Sequence, residues 1–149
     1  MKSIFSKDAL DEIKVRIGHL QPETQPKWGK MDAAQMLHHC QKAFEIPLGI
    51  STIKAPNPLM KLAFRFFRPS LYNDKPWKPN MPTAREFVVR SDKDFQVEKA
   101  RLLELADDFQ TKGPTYQWPT HPAFGRLKSE QWGKMQYKHL DHHLRQFGV

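Results

Sequence analysis

Cysteine is nearly absent from this chain: among 149 residues only Cys40 carries a thiol. A lone thiol forms no internal disulfide, so the fold rests on its core and requires no oxidising compartment. Glycines are few, and none falls in the spacing of a phosphate-cradling loop; no GxSxG elbow presents a serine nucleophile either. Long apolar runs are missing as well. The opening "MKSIFSKDALDEIKV" is already charged at Lys2 and Lys7, and no stretch approaches the ~18 apolar residues of a membrane span. The expectation from these absences is a soluble protein of the cytoplasm. Acidic residues are outnumbered, 16 against 24 basic ones, for a net charge of +8. Such a charge suits a polyanionic partner, yet no RNP-like, zinc-finger or helix-turn-helix signature accompanies it, so the simpler expectation is a basic solvated surface rather than a nucleic-acid binder.

What is present is helical periodicity. Leu10, Ile13, Ile17 and Leu20 recur at three- and four-residue steps after Ser6, which predicts a helix over about 7–20. Asp32 followed by Gln35 makes a capping-box pattern, and Pro47 ends the run, predicting a second helix over about 33–46. A third opens at "SDKD" with Ser91 or Asp92 as cap, carries Phe95, Leu102, Leu103 and Ala106, and stops at Gly113-Pro114. The fourth is capped by Ser129 and runs through Trp132, Met135, Leu140, Leu144 and Phe147 almost to the end. These predict an all-α, single-domain protein over 1–149, a four-helix bundle. Residues 47–90 differ, holding most of the twelve prolines. Within them "NPLMKLAFRFFRPS" offers Asn57 as cap, Pro58 at the first helical position and Pro69 as terminator, so a short helix is expected there, resting on the bundle or on a second subunit. "EFVV" at 86–89 reads as a short extended segment.

Five of the seven histidines lie in the second and fourth long helices. At ~100° per residue, His139 and His143 project to the middle of the apolar face set by Trp132, Met135, Leu140 and Phe147, with His142 toward its edge. His39 lies at the border of the face set by Ala33, Met36, Leu37, Cys40 and Phe44, whereas His38 points away. The four-residue spacing of His139 and His143 stacks two imidazoles where they can share an ion, and His39 from a neighbouring helix completes a three-nitrogen face. Three protein ligands with one open position is the arrangement of catalytic zinc-type sites, and neutral imidazoles suit zinc, nickel or iron better than magnesium or calcium. A buried pair of polar rings otherwise needs hydrogen-bond partners to offset desolvation, which is the competing reading. His38 and His142 are expected at the surface or behind the ligands, His121 in "THPAFG" as structural, and Cys40 as a small core residue.

The elements "WGKMDAAQMLHHC" (28–40), "HPAFG" (121–125) and "QWGKMQYKHLDHHLRQFG" (131–148) resemble the DinB/YfiT-like superfamily of metalloenzymes, in one of its uncharacterised branches. The resemblance implies a four-helix bundle in which a histidine of the second helix and an HxxxH pair of the last bind a divalent metal. By position these ligands are His39, His139 and His143. Relatives of this kind include thiol-dependent S-transferases, so the resemblance implies a small-molecule substrate and a low-molecular-weight thiol as cosubstrate. Homodimer formation is compatible with it. The reading from a different class is a non-catalytic protein that applies its basic, aromatic middle segment to nucleic acid or an anionic membrane. "WGKM" occurs twice, at 28–31 and 132–135, and each copy has a histidine pair ten and eleven residues after its tryptophan; duplication and coincidence both account for that.

Overall fold

The computed structural model describes all 149 residues. It contains five α-helices and no strand: α1 Lys7–His19, α2 Ala33–Glu45, α3 Pro58–Phe67, α4 Phe95–Lys112 and α5 Ser129–Gln146. Two short 3-10 turns, Arg68–Leu71 and Arg85–Phe87, lie between α3 and α4. The only β-type pairing is an isolated bridge between His121 and Gly125. No helix is long and apolar enough to cross a membrane.

Local chemistry sets most of the boundaries. Asp32 accepts from the Gln35 amide while the Gln35 side chain accepts from the Asp32 amide, so the capping box of α2 forms as expected. Asn57 accepts from the Met60 amide at 2.8 Å and Pro58 opens α3. Three expectations about caps need correction. Ser6 occupies the cap of α1 without a side-chain capping bond. Asp94, not Ser91 or Asp92, caps α4, because its carboxylate is the one in reach of the Val97 amide at 2.9 Å. Lys128 precedes α5, so Ser129 is already inside the helix. The 86–89 segment is also not simply extended: Phe87 and Val88 amides close a 3-10 turn on Ala84 and Arg85 carbonyls.

Packing is pairwise: α2 lies along α4, α1 touches both α4 and α5, and α2 touches α5. Ile13 and Ile17 of α1, Leu37 and Phe44 of α2, Leu105 and Phe109 of α4, and Trp132 and Leu144 of α5 are buried together. Leu105 and Phe109 continue the inner face of α4, whereas Leu103, expected in the core, sits at its half-buried border. Phe109 ties the layers together, stacking on Trp118 (4.1 Å between centroids) and Phe5 (5.1 Å) and meeting Phe44 edge-on. α5 is buried on nearly every side, which forces its polar residues to find partners inside the protein.

Of the two places expected for α3, against the other helices or against a second subunit, the first is not met: the helix covers little of the other helices. No residue of α3 is buried. Only one flank reaches the body, where Phe64 meets Phe124 edge-on at 5.5 Å and Arg68, just after the helix, donates to the Arg126 carbonyl and to Gln131 Oε1. The segment that follows is pinned more firmly. Lys138 of α5 donates to the Ser70 carbonyl, the Asn73 carbonyl and Asn73 Oδ1 at 2.6–3.0 Å, and Trp77 Nε1 donates to the Ser70 carbonyl.

Candidate metal centre

α2 and α5 bring His39 together with His139 and His143, about a hundred residues further along the sequence. One ring nitrogen from each of His39, His139 and His143 lies within 4.8 Å of the others, close enough to hold a metal ion, and all three rings are buried. Their phases follow from helix geometry: His139 and His143 are one turn apart on α5, and His39 faces them from the third position past Met36 on α2. These are the three histidines that the helical projections turned inward.

The hydrogen bonds behind the rings decide which nitrogens face the centre. His39 Nδ1–H donates to the Phe87 carbonyl at 2.9 Å, an acceptor only, which leaves Nε2 as a lone pair. His143 Nδ1–H donates to Gln146 Oε1 at 2.8 Å, and Gln146 is oriented in turn because its Nε2 donates to the Trp28 carbonyl at 2.7 Å. His143 Nε2 is therefore also free of a proton. Such outer hydrogen bonds fix tautomer and ring orientation at metal-binding imidazoles. The Gln146 amide passes so close to the bend at Gly29 that a Cβ there would lie 2.6 Å from Nε2, and Gly29 has a φ of +86°. The site thus depends on glycine at this position.

His139 is the least satisfied ring. Its Nδ1 is buried without a partner, and its Nε2 faces His39 Nε2 at 3.2 Å. Zinc–nitrogen bonds of about 2.0–2.1 Å at a tetrahedral angle separate two ligand nitrogens by about 3.3 Å. Two imidazole nitrogens at this separation, in a buried setting, require a shared proton or a shared cation between them. The donor set therefore fits a borderline-soft divalent ion, and its identity is left open by three identical ligands.

Burial keeps the cluster neutral. It pushes His143 down to about 3, with His39 nearby adding to the effect and the Gln146 bond opposing it. His139 is held well below the ordinary histidine value, by burial first and then by His143 and His39. His39 is lowered by burial against the opposing Phe87 bond. Neutral imidazole is the metal-binding form, so these rings are ready to ligate without first losing a proton.

The surrounding residues divide as follows. His142, expected at the surface or behind the inward histidines, takes the second of these places: it is buried beside His143 and between Trp28 and Trp77, at 5.9 and 5.7 Å between centroids, with its Nδ1 unpartnered. The near-complete burial of α5 brings this about. Trp77 also stands 6.1 Å from His139, so the 47–90 segment forms one wall of the centre. His38 does point away, to Glu98 of α4 at 2.9 Å, which Gln41 also holds. His121 Nδ1 accepts from the Ala123 and Phe124 amides and serves its own turn; burial lowers it to about 4. Cys40 is fully buried against Met36, its thiol pushed up by burial, and is no nucleophile at neutral pH. A cavity of about 190 Å³ opens beside Phe87, lined by Lys42, Ile46, Ile53 and Glu86 among others.

Sequence reasoning overlooked Gln146, Trp77 and the carbonyls of Phe87 and Trp28. Only Gln146 left a readable signal: it lies three residues after His143, on the same side of α5.

Over residues 3–148 the chain matches the family described as protein of unknown function (DUF1569), and it belongs to that family. Neither the curated proteins nor the solved structures contain a match to it.

Proposed function

We propose that this chain is a single DinB-like domain, its four long helices forming a four-helix bundle around a divalent transition metal held by His39, His139 and His143, and that it uses this centre for thiol-dependent chemistry on a small electrophile. The observation that carries the reading is the approach of three neutral, buried imidazoles from two helices, with the outer nitrogens of His39 and His143 already committed to the Phe87 carbonyl and Gln146. A divalent ion in such a setting lowers the pKa of a thiol or water bound to it toward neutrality, which supplies a nucleophile at physiological pH.

The protein's own part is positioning and exclusion. Phe87 and Gln146 hold two ligands in the correct tautomer, and the buried α5 keeps the rings dry. Trp77 and Phe87 wall the centre with aromatic surface. The cavity beside Phe87, whose carbonyl holds His39, has Lys42 and Glu86 on its wall and room for a small molecule, and the basic 47–90 segment favours one that carries a carboxylate, such as a low-molecular-weight thiol.

The test is metal analysis of protein purified without a histidine tag, alongside a His139→Ala, His143→Ala double variant. Stoichiometric divalent metal in the parent and none in the variant is expected. Small electrophiles are then screened with glutathione, bacillithiol and related thiols while metal content is recorded. Thiol transfer that survives complete metal removal would overturn the mechanism, and a parent that takes up no zinc, nickel or iron would overturn the site.

A further inference from the structure

The surface of α3 is the largest feature that the metal centre does not use. Leu59, Phe66 and Phe67 are 77%, 78% and 61% exposed, and Met60 and Leu62 are also open. On a helix projection Leu59, Leu62 and Phe66 share one side, opposite the flank on which Phe64 and Arg68 fasten the helix to the body. The anchoring therefore aims the apolar side outward. Five large exposed apolar side chains on ten residues exceed the scattered singles of an ordinary surface and mark a face that meets something.

Charge says what it meets. Residues 47–90 contain eight Lys and Arg (54, 61, 65, 68, 75, 78, 85 and 90) against Asp74 and Glu86, a net +6 of the chain's +8. All eight except Arg68 are exposed, and Asp74 is already paired with the N-terminal ammonium. A second copy docking through this face would set two +6 segments against each other. Nucleic acid would match the charge and could stack on Phe66 and Phe67, but it gains little from Leu59, Met60 and Leu62 on the same helix, which neither stack on bases nor donate hydrogen bonds. An anionic lipid surface matches both halves: the apolar side enters the headgroup boundary, Arg65 on the adjoining flank extends its long stem to phosphates, and exposed Lys61 just beyond it adds to the positive field. The Asn57 cap and Pro58 keep so short a helix formed before it docks.

We propose that α3, with the basic 47–90 segment around it, is a peripheral membrane-docking element that recognises anionic phospholipid bilayers. It lies on the membrane rather than through it, consistent with the absence of any spanning helix.

The experiment is flotation of the full-length protein with phosphatidylcholine vesicles, with and without phosphatidylglycerol. Binding is expected only with the anionic lipid, and raising salt weakens it. Lys61→Glu with Arg65→Glu should weaken it by roughly fivefold or more per cation reversed. Leu59→Ser with Phe66→Ser should abolish flotation at unchanged net charge. These side chains are exposed, so far-ultraviolet circular dichroism of both variants should match the parent. Chelator treatment should leave flotation unchanged, which separates this surface from the metal centre. Equal binding to neutral vesicles, no binding to either, or binding that survives Leu59→Ser with Phe66→Ser overturns the proposal. So does a concentration-dependent dimer, or a DNA or RNA complex, that depends on these residues while vesicles are ignored.

Discussion

Replacing Gly29 with alanine tests the link between a bend outside the helices and the metal centre inside. The backbone there has a φ of +86°, a region that costs an L-residue about 1–2 kcal/mol. The new Cβ would also lie 2.6 Å from Gln146 Nε2, the tip of a flexible side chain, so the amide swings aside rather than the backbone. Two hydrogen bonds go with it, Gln146 to the Trp28 carbonyl and His143 to Gln146. At about 0.5–1.5 kcal/mol each, their loss plus the strain gives a destabilisation of about 2–5 kcal/mol. The more specific effect falls on His143, which loses the partner that fixes its tautomer; loss of such an outer bond lowers metal affinity by about 10–100-fold. Gly49→Ala is the control, because Gly49 has a φ of +75° but nothing within 4 Å of its added Cβ. It should show the strain alone. Zinc affinity is read by competition with a chromophoric chelator, and stability by urea unfolding of the metal-free proteins. Unchanged zinc affinity in Gly29→Ala, or an equal loss in Gly49→Ala, would refute the coupling.

His38→Ala should leave zinc affinity within about twofold, since the ring faces Glu98, but should cost about 1–3 kcal/mol in urea unfolding because a mostly buried carboxylate loses a partner. A tenfold affinity loss would move His38 into the site. Lys138→Met removes the ammonium that gathers Ser70 and Asn73, and should expose the 68–78 segment to limited proteolysis at unchanged helix content; protease resistance equal to the parent would contradict the pinning role. The metal-free protein should lose stability as pH falls below about 6.5. His121 and His143 are held at about 4 and about 3, so between those values and 6.5 the unfolded chain binds protons that the folded one refuses. The loss is up to about 1.4 kcal/mol per pH unit for each histidine, flattening below the folded values. Stability independent of pH from 7.5 to 5.5 would show these rings to be protonated in the fold.

The helices were legible wherever a one-sided apolar period met a stop signal. Ile13 and Ile17, the Asp32–Gln35 box, and Asn57-Pro58 all announce elements that form within a residue or so of the expected bounds. Phase also selected His39, His139 and His143: the two α5 rings project to the middle of an apolar stripe and His39 to the border of the α2 face, and the three rings meet. Where legibility failed, the missing information was tertiary. An apolar face on α3 tells which side avoids water, not whether a neighbour exists to cover it. His142 at the edge of the α5 stripe looked like a border residue, and only the placement of Trp28 and Trp77 makes that border interior. The carbonyls of Phe87 and Trp28 orient the cluster through backbone atoms, which every residue type carries, so no residue identity could have marked them.

The doubled "WGKM" shows the same limit from the other side, where a sequence signal is loud and the structures differ. The first copy lies in a bend before α2: Trp28 is half-buried and Gly29 takes a positive φ. The second lies within α5: Trp132 is fully buried, and Gly133 is helical, with Ser3 and Phe5 filling the room a side chain would need. Eleven residues on a helix are close to three turns, so His143 returns to the face of Trp132. The same eleven residues from Trp28 to His39 cross a bend and preserve no phase, so the shared spacing has two unrelated geometric causes. The two copies do not share one local structure. They are nonetheless joined, because the Trp28 carbonyl holds the Gln146 that holds His143. One copy braces the histidine that the other copy's helix presents, and this is the path by which a glycine outside any helix reaches the histidine cluster of α5.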